Sequence, residues 1–203
     1  MPKSLKNTGL APNEMLVKLD QFMDKIHGLM DILGLNMQPY KADHIALRIN
    51  DNELAQLAHK AWLELGEEIS CAKINGRPII VVKLHREIEI GSWKVDCIEL
   101  PYPAVGKTYP QQGWEHIEFV VPSKTTSISD YQQELFDLWP ELERNWARLA
   151  ALGVKTKLSS PKGEGERLSN PTLAFKYDGV CIKLHPHTLE SIVQSEQEGN
   201  GLG

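Results

Sequence analysis

The chain has 203 residues, enough to bury a sizeable core as one large domain or two small modules. Twenty-two Lys and Arg against 27 Asp and Glu leave a net charge of −5, which speaks against a general nucleic-acid coat. No apolar run nears the ~20 residues that cross a bilayer, so no membrane partner is expected. Three cysteines without a CxxC pair exclude a disulfide scaffold and a Cys-rich zinc site. With no apolar stretch of a signal peptide in the first 13 residues, the expected location is the reducing cytoplasm.

In chain order, residues 1–12 are polar. Asn13 then offers a cap to a helix whose stripe is Met15, Leu16, Leu19, Phe22, Met23, Ile26 and Met30, stopped by Gly34. This stripe reads as a core-facing helix surface within an N-terminal segment of residues 1–38. From His44 to Ile49 the pattern alternates, as in a half-buried strand. Asp51 caps a helix to about Leu65, closed by Gly66. Strand-like runs Glu68–Lys73 and Arg77–Leu84 flank Asn75-Gly76, a strong hairpin signal. Trp93–Leu100 is a further strand, closed by Pro101 and Pro103.

From Trp114 the order begins again. His116–Val121 alternates. A helical region runs from about Ser129 to Ala151 with an interruption at Pro140, and Val154–Leu158 is strand-like. A polar loop spans Ser159–Asn170, and strands Thr172–Tyr177 and Val180–Leu184 flank Asp178-Gly179. Thr188–Gln197 reads as a terminal helix. Asp43-His44-Ile45-Ala46 echoes Glu115-His116-Ile117-Glu118, and Asp96-Cys97-Ile98-Glu99 echoes Val180-Cys181-Ile182-Lys183. The expectation is an α+β fold with an internal repeat of two βαβββ modules, about 42–103 and 114–186. They lie in one domain of residues 39–190, followed by a tail of residues 191–203.

Alternation then selects a face. The isoleucine side of each opening strand must pack on helices, so His44 and His116 point the other way. Ile98 and Leu100 take the helix side, leaving Glu99 with the histidines, and by the same count Lys183 and His185 join them. If the two modules pair, this face becomes a polar cleft holding those residues with Arg48, Arg77, Lys83 and Glu118. Two imidazoles and a carboxylate suit a borderline divalent metal such as zinc, iron, manganese or nickel, whereas a metal-free polar pocket accounts for the same pattern. Arg48, Arg77, Lys83 and Lys183 make the cleft locally positive and favour a small anionic ligand. Some of them alternatively neutralise Glu99 and Glu118. The loop from Ser160 to Arg167 is long enough for a lid carrying Lys162 and Arg167, or it is a plain surface loop.

The strings HIALRI, HIEFVV and IELP resemble the vicinal oxygen chelate superfamily, which includes glyoxalase I, methylmalonyl-CoA epimerase, extradiol dioxygenases and bleomycin-resistance proteins. ADHIALR, INGRPI, GWEHIE, SSPKGEGERLSNPTLA and IKLHP are similar to the YecM family over about residues 35–195. This resemblance implies paired βαβββ modules forming one cupped, glyoxalase-like mixed sheet with a suspected metal site. Carried over by position, the ligands are His44, Glu99 and His116, with Lys183 in the fourth place. A protonated lysine cannot ligate, so the resemblance leaves a three-ligand site, a variant using His185, or no metal. It further implies isomerase, epimerase or oxygenase chemistry on a metal-chelated anionic compound. Glu118 is then the general base, or else a carboxylate that orients a histidine or pairs with Lys183. The rival is a metal-free protein that sequesters a small molecule. A monomer and a homodimer are both compatible with the sequence.

Overall fold

The Met15–Met30 stripe makes two helices where the periodicity predicts one. In this computed structural model, which describes residues 3–74, 76–160 and 168–200, α1 covers Pro12–Val17 and α2 covers Leu19–Leu33. Pro12, rather than a capping Asn13, starts the first, where a missing amide costs nothing. The Glu14 carboxylate accepts the Asn7 and Ala11 amides at 3.1 and 3.4 Å. Gly34 ends α2 as expected: its φ of 71° is the left-handed conformation that glycine adopts without steric penalty. Phe22, Ile26, Leu29 and Leu33 bury the face of α2 that lies on the sheet side.

Two βαβββ units follow. The first is β1 (Lys41–Arg48), α3 (Asn52–Leu63), β2 (Gly66–Ile74), β3 (Arg77–Ile90) and β4 (Trp93–Pro101). The Asp51 side chain caps α3, accepting the Leu54 amide at 2.9 Å. Gly66 begins β2 rather than closing the helix, and β3 runs six residues past its expected end at Leu84. The second unit is β5 (Gly113–Val120), α4 (Ile128–Leu138), α5 (Pro140–Trp146), β6 (Lys155–Ser159), β7 (Thr172–Tyr177) and β8 (Val180–His185). The helical region breaks at Trp139-Pro140, as the proline dictates. A final helix, α6, spans Leu189–Asn200.

Among the described residues the strands form one mixed sheet in the order β2-β3-β4-β1-β5-β8-β7-β6. The order is symmetric about the antiparallel β1–β5 pair, and each of these strands runs parallel to the closing strand of its own unit. This is the glyoxalase-like α+β arrangement. Ile45, Leu47, Ile98, Leu100, Ile117, Phe119, Ile182 and Leu184 are fully or almost fully buried on the helix side, so the opposite face of the four central strands carries the polar residues. No helix among those described is long and apolar enough to cross a membrane.

Candidate metal centre

Register places the polar side chains in rows. His44 on β1 lies opposite Glu118 on β5, and Glu118 lies opposite Lys183 on β8. Ala46, with only a methyl group to occupy the space, lies opposite both Glu99 on β4 and His116 on β5. The four strands therefore bring together residues up to 141 positions apart, from His44 to His185.

The shared carboxylate is Glu118. Its Oε1 lies 3.3 Å from His44 Nε2, 3.0 Å from His116 Nε2 and 2.5 Å from Lys183 Nζ, while Oε2 lies 3.2 Å from His185 Nε2. The Glu99 carboxylate stands 3.8 Å from both His44 Nε2 and His116 Nε2. Ligand atoms of His44, Glu99, His116 and Glu118 all fall within 4.8 Å of one another, and Asp43, His44 and His185 form a second such group.

Each imidazole is fixed through Nδ1. Asp43 holds His44 at 3.1 Å, Glu115 holds His116, and the His187 carbonyl holds His185 at 2.6 Å. Asp43 and Glu115 are not among the residues that alternation selects, and β-bulges explain why. Between Ala42↔Phe119 and His44↔Glu118, β1 carries one extra residue, Asp43; between Ala46↔His116 and Leu47↔Trp114, β5 carries one, Glu115. Each bulge turns an acid onto the cleft face beside the following histidine. It also sends the residue before that acid to the helix side: Ala42 joins the core, and the Trp114 ring lies 6.0 Å from that of Trp62. The signal for the two acids was the repeated acid-His-Ile string.

The electrostatics follow from this crowding. Burial opposes the charged form of Glu118, but Lys183 and the imidazoles hold its carboxyl well below the usual range. Burial likewise opposes charge on Glu115, which His116 and Arg48 outweigh, and Asp43 is lowered through His44 and His185. Burial would push His44 down, yet Glu118 and Asp43 lift it to about 10. His185 goes down, chiefly through burial. The Cys97 and Cys181 thiols are pushed up to about 12 by burial and are unreactive as nucleophiles.

These directions set a pH profile. Asp43, Glu115 and Glu118 stabilise the fold above the ordinary carboxylate range, and that contribution disappears as pH falls below about 4.5. The His44 contribution is complete below pH ~6.5 and fades as pH climbs through about 10. Urea midpoints measured from pH 3 to 11 are expected to show a plateau between these two losses, and Asp43→Asn should flatten the acid limb.

A cavity of about 270 Å³ opens onto the cluster. His44, Glu99, Glu118, Lys183 and His185 line one side. Arg77 and Lys157 add positive charge, and Ile79, Ala174, Leu189 and Ile192 supply apolar wall. Two cations expected in the cleft are not in this lining. Arg48 pairs with Glu115 at 2.8 Å and stacks 4.1 Å over the Tyr109 ring, and Lys83 pairs with Asp96 and Glu190 at 2.5 and 2.8 Å. Both neutralise local acids, though not the Glu99 and Glu118 foreseen for that role. Lys157 was not foreseen because β6 has no apolar alternation from which to assign faces. Of the polar loop, residues 161–167, including Lys162 and Arg167, lie outside those described.

The donor set fits a divalent metal. The Nε2 atoms of His44 and His185 are buried and face Glu118 at 3.3 and 3.2 Å without hydrogen-bond geometry, an arrangement that costs free energy unless something else meets those nitrogens. Nδ1 bound to a carboxylate with Nε2 turned inward is the usual posture of a metal-binding histidine.

Fold and site together define a glyoxalase-like α+β protein with a buried cluster of histidines and glutamates. The comparisons narrow the class. Residues 11–196 match the YecM protein family. Protein YecM of Escherichia coli (strain K12) is 40% identical over 179 residues, covering 88% of this chain and 90% of that protein. An uncharacterised protein of Haemophilus influenzae (strain ATCC 51907 / DSM 11121 / KW20 / Rd) is 32% identical over 179 residues, covering 85% and 88%. The solved structure of the structural genomics protein EC4020 aligns with a TM-score of 0.72 at 33% identity, over 96% of this chain and 99% of that one. The chain belongs to the YecM family.

Proposed function

We propose that this protein binds a divalent metal through His44, Glu99 and His116 and takes a small anionic compound into the adjoining cavity. The observation that carries the reading is the convergence of these ligand atoms, with Glu118, inside 4.8 Å. When bound, such a metal supplies Lewis acidity toward oxygens of the ligand, the chemistry behind the isomerase, epimerase or oxygenase activity that the vicinal oxygen chelate resemblance implies. Arg77 and Lys157 attract the anion, and Ile79, Ala174, Leu189 and Ile192 exclude water around its apolar part. Asp43 and Glu115 hold the protons on Nδ1 of the two histidines, so Nε2 is the nitrogen that gives up its proton to ligate. Glu118 acts as organiser of the imidazoles rather than general base, since a carboxyl held so low is a weak proton acceptor near neutrality. His185 is the reserve donor, its Nε2 facing the same carboxylate.

The test is titration of purified, metal-stripped protein with Zn²⁺, Mn²⁺ and Ni²⁺ and, under anaerobic conditions, Fe²⁺, followed by calorimetry. Binding of at least one metal is expected at a single strong site per chain. His44→Ala and His116→Ala should each weaken it by more than about 100-fold, beyond the usual cost of losing a supporting residue. Equal affinity in wild type and both variants would refute the site.

One observation favours a second reading, a metal-free binder of small anions: the Lys183 ammonium already sits against Glu118 and His116. That reading predicts an anion that raises the melting temperature in the presence of a chelator.

A further inference from the structure

The fourth corner of the cluster is held by a side chain that cannot ligate, and its contacts are specific. Lys183 Nζ lies 3.0 Å from His116 Nε2 and 2.5 Å from Glu118 Oε1. An ammonium has three donors and no acceptor, so it can bond His116 Nε2 only by donating to its lone pair. With Nδ1 facing Glu115, the form of His116 that accepts from Lys183 is the tautomer with its proton on Nδ1. The lone pair Lys183 uses is the one a metal would need, and a nitrogen has only one.

We infer that Lys183 is a built-in competitor for the metal, a tethered cation that satisfies His116 and Glu118 while no metal is bound and must swing away when one binds. The inference rests on the metal reading above. Three features support it. The parallel β5–β8 pairing sets Lys183 directly opposite Glu118, so the ammonium reaches the cluster without strain. Its side chain is 27% exposed while those of the neighbouring histidines are at most 3% exposed, so it has an exit that they lack. It also lines the cavity, so a displaced ammonium would face the space assigned to the anion. Metal and anion binding then reinforce each other: the ion expels the lysine, and the expelled lysine becomes a further anchor for negative charge.

The experiment compares Lys183→Met with wild type and Lys183→Arg. Methionine keeps an unbranched stem, removes the charge and is not among the usual Zn²⁺ ligands, which are Cys, His and carboxylates; arginine keeps the charge. By Zn²⁺ calorimetry Lys183→Met should bind about tenfold more tightly or better, which is ~1.4 kcal/mol, and Lys183→Arg should not. Stripped of metal, Lys183→Met should melt at lower temperature than wild type, and Zn²⁺ should restore it. A purely structural lysine would give the lower melting temperature without the tighter binding. A second measurement uses wild type alone: mass-spectrometric acetylation of Lys183 should rise on adding Zn²⁺, as the ammonium leaves the cluster. Zn²⁺ binding unchanged or weaker in Lys183→Met, or Lys183 labelling unmoved by bound Zn²⁺, overturns the inference and leaves the metal site standing. Absence of metal binding in both wild type and Lys183→Met overturns both.

Discussion

Glu118→Ala in metal-free protein is expected to cost about 3–5 kcal/mol of unfolding free energy, the usual loss when one partner of a buried ion pair is removed. The carboxylate lies within 3.3 Å of three imidazole nitrogens and contacts the Lys183 ammonium. Its side chain is only 10% exposed, so solvent screens these contacts little. Truncation removes the carboxylate that His44, His116, Lys183 and His185 share. The cause can be separated from mere loss of volume. Adding Lys183→Met should recover a large part of the deficit, because removing both members of a buried pair is often close to neutral. Denaturation curves for the two single variants and the double variant give the coupling directly. Independence of the two substitutions would show that the network carries no energy of its own.

The neighbouring residue supplies the contrast. Phe119→Ala should lower stability by a similar amount, about 3–5 kcal/mol, through a cavity rather than a charge. Phe119 is fully buried on the helix side, opposite Ala42 and Leu184 in the sheet, with its ring 5.3 Å from that of Trp93. Here Lys183→Met should give no relief, and the loss should be the same at about pH 3.5 and pH 8, whereas the Glu118 loss should shrink as acid protonates the unfolded carboxyl. Guanidinium titrations of wild type, the three single variants and the two double variants at both pH values suffice. A Phe119 loss that varied with pH as steeply as the Glu118 loss would mean that the two faces of the strand are not energetically separate.

Most of this architecture was legible because strands at the centre of a sheet obey a period of two. Ile45, Ile98, Ile117 and Ile182 could face only the helices, and that assignment alone put His44, Glu99, His116, Lys183 and His185 on the other side. Gly76, before β3, and Pro140, between α4 and α5, marked a turn and a break for steric reasons that hold in any context, while Asn75 lies outside the described residues. What alternation hides is a local failure of alternation. Asp43 and Glu115 read as helix-side residues by counting, and only the ladder register reveals the extra residue in each strand. The fates of Arg48 and Lys83 were hidden for a different reason. Parity states which face a cation leaves from but not which acid lies nearest, and Glu115, Asp96 and Glu190 are brought close by a bulge, a hairpin and a helix distant in sequence.

One contact ties the end of the fold to its centre. The Asp43 oxygen that fixes the His44 ring also accepts the Leu189 amide at 2.8 Å, where α6 begins, and Glu190 in the next position grips Lys83. Leu189 and Ile192 wall the cavity. The imidazole and the first turn of α6 are thus tied to one oxygen atom, so Asp43→Asn should disturb the ring and the cavity wall together.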